Sequence, residues 1–182
     1  MLRRLCLVHP CGLHLLAAPA DAVQAAEVDD ASFARLLNLG RRVFDYVVVD
    51  TFPMVDSLVI STLDISDLVF VLMQGTFPNV VGASRFLPVL DGIGVPQERQ
   101  RLVLNQNHQR FAGKLSASDI EGRLGRRIDY EIPYTKGVLV SLNMGKPHVL
   151  RSMRMFGFGQ RIVKMADDVE RVRGAASGET RE

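Results

Sequence analysis

Tryptophan is absent from the 182 residues and tyrosine occurs three times, which excludes nothing by itself. Cysteine is more telling. Cys6 and Cys11 are the only two, with four residues between them and no second pair nearby. A structural zinc site needs four ligands at tighter spacings, so this pair, even with His9 and His14 interleaved, reads as two reduced thiols of a cytoplasmic protein. Charge of one sign is also scarce: 22 Lys and Arg stand against 20 Asp and Glu, a net of +2. No general pull toward nucleic acid or an anionic membrane follows, although a local basic patch is compatible with that balance. Long apolar runs are missing, and with them any segment able to span a bilayer. Met1-Leu2-Arg3-Arg4, Leu5 to Val8 and Ala18-Pro19-Ala20 imitate a secretory leader, but His9, Pro10, Gly12 and His14 break up its apolar part. Gly92-Ile93-Gly94 and Gly157-Phe158-Gly159 lack the third glycine of a dinucleotide fingerprint. Gly82-Ala83-Ser84-Arg85-Phe86 fails at the last position of the G-x-S-x-G hydrolase elbow.

What is present is an ordinary soluble composition, 47% hydrophobic and 23% charged, long enough for one domain with a real core. Short β-rich runs alternate with helical patterns, the mark of βαβ units and a parallel sheet. Tyr46-Val47-Val48-Val49-Asp50 is the clearest strand pattern, three valines suiting a strand buried on both faces. Leu68 to Met73 and Arg101 to Asn105 follow, with Leu13 to Ala17 and Ile128 to Ile132 as weaker patterns. The spacing predicts helices over 30–43, capped by Asp29 or Asp30, and over 80–90, where Pro88 warns of a kinked or lost last turn. Ser116 and Ser118 before Asp119 and Glu121 predict a capping box opening a short helix that ends at Gly125. A final helix over about 155–173 carries Phe158, Ile162, Met165, Ala166, Val169 and Val172 on one side and is expected to pack on the sheet. The expected organisation is a single α/β domain over 1–173 and a disordered polar tail over 174–182.

Asp50 is the residue most suggestive of chemistry. Four apolar positions ending in an acid place a carboxylate at the C-terminal lip of a strand, where open α/β sheets bind ligands. In nucleotide-hydrolysing folds such an acid holds Mg²⁺ beside the phosphates, usually through water. The surroundings extend the pattern. Asp45-Tyr46-Val47-Val48-Val49-Asp50-Thr51-Phe52-Pro53 resembles the Walker B and switch segment of MinD/ParA-type ATPases. Leu63-Asp64-Ile65-Ser66-Asp67-Leu68-Val69-Phe70-Val71 is similar to that family's "A-D" turn and next strand, and Arg101 to Asn105 to its "hhhN" strand. Ile132-Pro133-Tyr134, Val138 to Asn143 and Gly145-Lys146-Pro147 resemble its "IP…V…A-x-x-x-G-x-P" ending. His9-Pro10-Cys11-Gly12-Leu13-His14-Leu15-Leu16-Ala17-Ala18-Pro19 resembles the "HPSGLRLLAAP" stretch of the CpaE/TadZ pilus-assembly branch. No one segment is specific; their order and spacing over roughly residues 9–165 carry the resemblance.

The resemblance implies a three-layer α/β/α fold with a mostly parallel, doubly wound sheet, and ATP or ADP with Mg²⁺ as cofactors. It makes Asp50 the magnesium-side acid, sets Asn105 against the adenine edge, and has Pro133 and Tyr134 wall the adenine pocket. An amide's paired donor and acceptor suit that edge. Plainer readings stand beside these roles: Asn105 as a strand-end cap and Pro133 as a turn former. Gln106 also stands where a basic residue is common. The implied partners are a second copy, components of the Flp/Tad pilus secretion machinery, and a target at the cell pole or the inner-membrane periphery. No specific nucleic acid is indicated.

One piece is missing. A phosphate-binding loop reads G-x-x-x-x-G-K-[ST], because backbone N–H groups cradle phosphate while Lys and a hydroxyl serve charge and metal. The Gly-Lys pairs here, Gly113-Lys114-Leu115 and Gly145-Lys146-Pro147, lack the hydroxyl. In the family that loop lies upstream of the "HPSGL" stretch, so a first βα unit is expected to be missing. The apolar strand edge this leaves would favour low solubility or dimerisation. ATP hydrolysis by this chain alone is not expected. The rivals are a non-enzymatic scaffold, a septum-site or DNA-partition protein, and a response-regulator receiver built on Asp50 and Lys146. The last is disfavoured because those residues lie too far apart for a compact receiver.

Overall fold

The computed structural model describes residues 2–19, 21, 28–52, 54–109, 113–152 and 156–178. It divides into two compact units, residues 1–66 and 67–182.

In the first unit, strand β1 (Leu7–Val8) pairs antiparallel with β2 (His14–Leu15), Leu7 opposite Leu15. The connection His9-Pro10-Cys11-Gly12 closes through Gly12 N–H to the His9 carbonyl at 2.9 Å. Gly12 adopts φ 91, a conformation that side-chain-bearing residues resist. Helix α1 (Asp30–Val43) opens as its sequence demands: Asp29 caps it, its carboxylate accepting the Ser32 N–H at 2.8 Å. Helix α2 (Ser57–Ile65) is capped in the same way by Asp56. The two helices are tied by the Ser57 hydroxyl on Asp30 at 2.9 Å and by Arg41 on the Ile65 carbonyl at 3.0 Å.

The second unit carries the sheet. Strands β3 (Val69–Met73), β4 (Gln100–Asn105) and β5 (Tyr130–Ile132) are parallel, in the order β3-β4-β5. Helix α3 (Phe77–Gly92) joins β3 to β4, and α4 (Ala117–Leu124) joins β4 to β5. Helices α5 (Lys136–Asn143) and α6 (Gly157–Gly178) follow. The capping box at Ser116 and Asp119 forms as expected, and Gly125 ends α4 in the left-handed region at φ 64. Leu90, Leu102, Val103, Leu104 and Ile120 are fully buried, so the core sits between the central strand and the helices flanking it. α3 runs through Pro88 to Gly92. Pro88 removes one N–H, yet the burial of Leu87 and Leu90 holds the last turn that the proline was expected to disturb.

The largest departure from the sequence reading lies at Tyr46–Asp50. This valine run forms no strand, Asp50 is exposed, and Val48 is 92% exposed. β-branched residues favour a strand only where a neighbour takes up its backbone groups, and among the described residues no strand pairs with this run. Gly40 lets the run approach α1: a Cβ there would lie 3.4 Å from a Val47 methyl carbon. The Leu13–Ala17 pattern forms only the two residues of β2, antiparallel rather than parallel. α6 starts at Gly157 and continues to Gly178. Pro53, Met155 and residues 179–182 lie outside the described residues.

Candidate functional site

Strand register brings three of the four expected site residues to one end of the sheet. Asn105, the last residue of β4, is in register with Ile132, the last of β5, so Pro133 and Tyr134 begin one step beyond that rung. The ladder continues past it, with Gln106 N–H donating to the Ile132 carbonyl at 2.9 Å. Asn105 is half-buried, and among the described residues its side-chain amide makes no hydrogen bond. Its donor and acceptor therefore remain open to a ligand. Pro133 and Tyr134 are likewise half-buried, and the Pro133 carbonyl accepts the Thr135 hydroxyl at 3.2 Å as the chain turns into α5.

Beside this rung Gly75, Thr76, Gln106, Asn107, His108 and Lys114 line a small cleft of about 10 Å³. That volume holds a single water and no more. Gly75 keeps the cleft tight: a Cβ there would stand 3.4 Å from Lys114 Cε and 3.7 Å from Gln106 Oε1. Gln106 is buried and donates through Nε2 to Glu131 Oε1 at 2.9 Å. An amide thus engages the Glu131 carboxylate where the family resemblance favours a cation.

Asp50 belongs to the first unit, is exposed, and lies on no strand. Asn105, Pro133 and Tyr134 stand half-buried at one end of the sheet, and no residue run in the sequence reads as a phosphate-binding loop.

Sequence reasoning did not find the polar cluster at the opposite end of β4 and β5. Asp168 of α6 is buried, and its Oδ2 accepts both Arg101 Nε at 2.6 Å and the Tyr130 hydroxyl at 2.8 Å. Arg171 donates to Oδ1 at 3.0 Å. Only the Asp168–Arg171 spacing of three was visible in sequence, and such pairs are common on helix surfaces. The cluster fastens α6 to the sheet. Burial, then the hydroxyl's hydrogen bond to Asp168 and that carboxylate's charge, pushes the Tyr130 phenol up to about 12. A raised phenol contributes stability that is complete below the ordinary tyrosine value of about 10 and lost as pH rises to the folded value. One of the three tyrosines should therefore ionise only near pH 12 in an absorbance titration of tyrosinate. Tyr130→Phe should abolish that late phase.

No protein-family model matches the chain, and no curated protein matches it by sequence. Solved structures do match. A ParA family ATPase from Chlorobium tepidum superimposes with a TM-score of 0.74 at 20% identity, over 87% of this chain and 64% of that one. The septum site-determining protein MinD from Pyrococcus horikoshii, complexed with Mg-ADP, gives 0.70 at 13% identity, over 86% and 63%. MinD of Aquifex aeolicus in a MinC:MinD cell division protein complex gives 0.64 at 18%, over 79% and 60%. The chain thus spans under two thirds of the length of the structures it matches. At these identities the likeness establishes architecture: an α/β fold with a parallel three-stranded sheet flanked by helices, the fold of the ParA and MinD ATPases.

Proposed function

We propose that this chain belongs to the MinD/ParA-type ATPases and acts in the positioning and assembly of a Flp/Tad-type pilus secretion machine, as in the CpaE/TadZ branch. The supporting observation is the coincidence of two independent likenesses. The fold superimposes on ParA and MinD ATPases, and two of the ordered sequence segments fall on matching features, "hhhN" ending β4 and "IP" at the end of β5. In this reading Asn105 meets the adenine edge, Pro133 and Tyr134 wall the base, and Asp50 serves the Mg²⁺ side through water. A second copy and pilus components are its partners, near the pole or the inner membrane.

The chain's own residues supply the base contact and little of the phosphate grip, so binding is expected to be weak and selective for adenine. Titration of the isotope-labelled chain with ATP and Mg²⁺, followed by NMR, should move the Asn105 side-chain amide and Tyr134 ring signals. GTP should not move them, and Asn105→Ala should remove the response. Low-micromolar affinity, or shifts gathered elsewhere, would overturn the assignment of these residues. Deleting the coding region tests the cellular role: loss of surface pili with normally placed septa supports it. Displaced septa or plasmid loss favours a septum-site or partition protein instead.

A further inference from the structure

His9 and Cys11 meet within one tight turn. Pro10 stands between them, and the Gly12 N–H closes the turn on the His9 carbonyl at 2.9 Å. A second bond, His9 N–H to the Leu13 carbonyl at 2.8 Å, joins it to the hairpin of β1 and β2. The proline ring fixes one φ and Gly12 holds φ 91, so local geometry sets the pair without help from distant packing. The Cys11 Sγ lies 2.9 Å from His9 Nδ1. Cys11 is exposed and His9 half-buried.

The backbone settles which atom of the pair carries the proton. Cys11 N–H donates to the same Nδ1 at 3.2 Å, and a backbone N–H can only donate. Nδ1 therefore presents its lone pair, and the ring proton sits on Nε2. The 2.9 Å contact is then the thiol S–H donating to an imidazole nitrogen. A base hydrogen-bonded to a thiol proton is the arrangement that activates a cysteine nucleophile. Cys6 supplies the contrast. It is half-buried, and its thiol donates to the Leu2 carbonyl at 3.6 Å, an oxygen that is no base.

Three chemistries use a thiol beside an imidazole. A metal ion needs further ligands, and among the described residues no third His, Cys, Asp or Glu joins the pair. An internal disulfide is out of reach. β1 lies between the two cysteines, and at about 3.3 Å per residue it holds their Cα atoms beyond the roughly 7 Å that such a bond spans. A disulfide arriving from solvent meets no such bar, because an exposed sulfur on a turn leaves room for approach along the S–S axis. We propose that Cys11 is a modification site at which a low-molecular-weight disulfide forms a mixed disulfide, with His9 as the base. As Sγ attacks, its proton passes to Nδ1, the new S–S bond forms and the small molecule's S–S bond breaks. The released thiolate takes that proton back from Nδ1. Cys11 is thereby oxidised, the small disulfide is reduced, and the imidazole is restored. The inference rests on this turn alone and stands whether or not the chain binds nucleotide.

Incubation of the full chain with oxidised glutathione at neutral pH, followed over time by peptide mass mapping, tests it. An unassisted thiol is only a few per cent thiolate there, which leaves room for about a tenfold effect of the base. Cys11 is expected to take up glutathione at least about tenfold faster than Cys6, and Cys11→Ser should remove the fast adduct. His9→Asn keeps a side-chain acceptor for the Cys11 N–H and removes the base. It should slow Cys11 about tenfold while the Cys6 rate and the circular dichroism stay unchanged. Equal rates at the two cysteines, or a Cys11 rate that His9→Asn leaves intact, would overturn the proposal. So would faster conversion of Cys11 to a dimedone-trapped sulfenic acid by equimolar hydrogen peroxide, or a zinc ion that the chain retains and that blocks labelling of Cys11.

Discussion

Asp168→Ala is expected to lower the unfolding free energy by about 3 kcal/mol in urea denaturation, because it leaves a partly buried guanidinium and a phenol without their acceptor. The carboxylate is the shared acceptor of Arg101, Tyr130 and Arg171. Arg101 keeps its bonds to the Glu98 and Gln100 carbonyls at 2.7 and 3.0 Å, and its side chain is 21% exposed. Both features hold the loss below that of a fully enclosed pair. Arg171 is 74% exposed, so Arg171→Ala should change little. The pH dependence has a definite sign. Burial pushes the Asp168 carboxyl up, but hydrogen bonds from Arg101 and Tyr130 and the charges of Arg101 and Arg171 outweigh it, holding the group below its ordinary range. Its stabilisation is therefore complete above the ordinary aspartate value of about 3.9 and is lost as pH falls through and below that value. Asp168→Asn should flatten the acid limb of a stability–pH curve. An unchanged acid limb would remove Asp168 as its source.

The second large effect is expected at Leu104. It is fully buried in the central strand, in register with Met73 on one side and Glu131 on the other. Leu104→Ala removes three buried carbons and leaves a cavity among strands that cannot close on it, a loss of about 3–4 kcal/mol. Leu72 on the neighbouring strand is 59% exposed, and Leu72→Ala should cost less than about 1 kcal/mol. Thermal unfolding of the two variants checks the contrast; equal losses would mean that the burial pattern does not describe the core. Because Leu104 directly precedes Asn105, its loss should also weaken the adenine response by loosening the strand end.

Much of the second unit was legible because its signals are local. The Ser116–Asp119 box, the glycine at 125 and the apolar runs of β3 and β4 each need only neighbours in sequence to be read. The Asn105–Pro133 juxtaposition was legible through family resemblance, and strand pairing supplied its geometry. The Asp168 cluster was not, since its bonds to Tyr130 and Arg101 span 38 and 67 residues and no periodicity marks them. Tyr46–Asp50 misled for the opposite reason: its local preference is strong, but strand pairing, which no described residue gives it, is not a property of those five residues. On α5 no local signal says which way the leucines face; the burial of Ser141 and its bond to His148 show it.

The register of Asn105 with Ile132 has an evolutionary corollary. A residue placed on a hydrogen-bonded rung moves only if two strands shear by a whole residue, roughly 3.3 Å, which would turn every side chain to the opposite face. Beyond Gln106, which still bonds the Ile132 carbonyl, residues 107–109 and 113–116 belong to no strand. Insertions and deletions can accumulate there, while the position of the Asn105 amide stays inherited from the sheet.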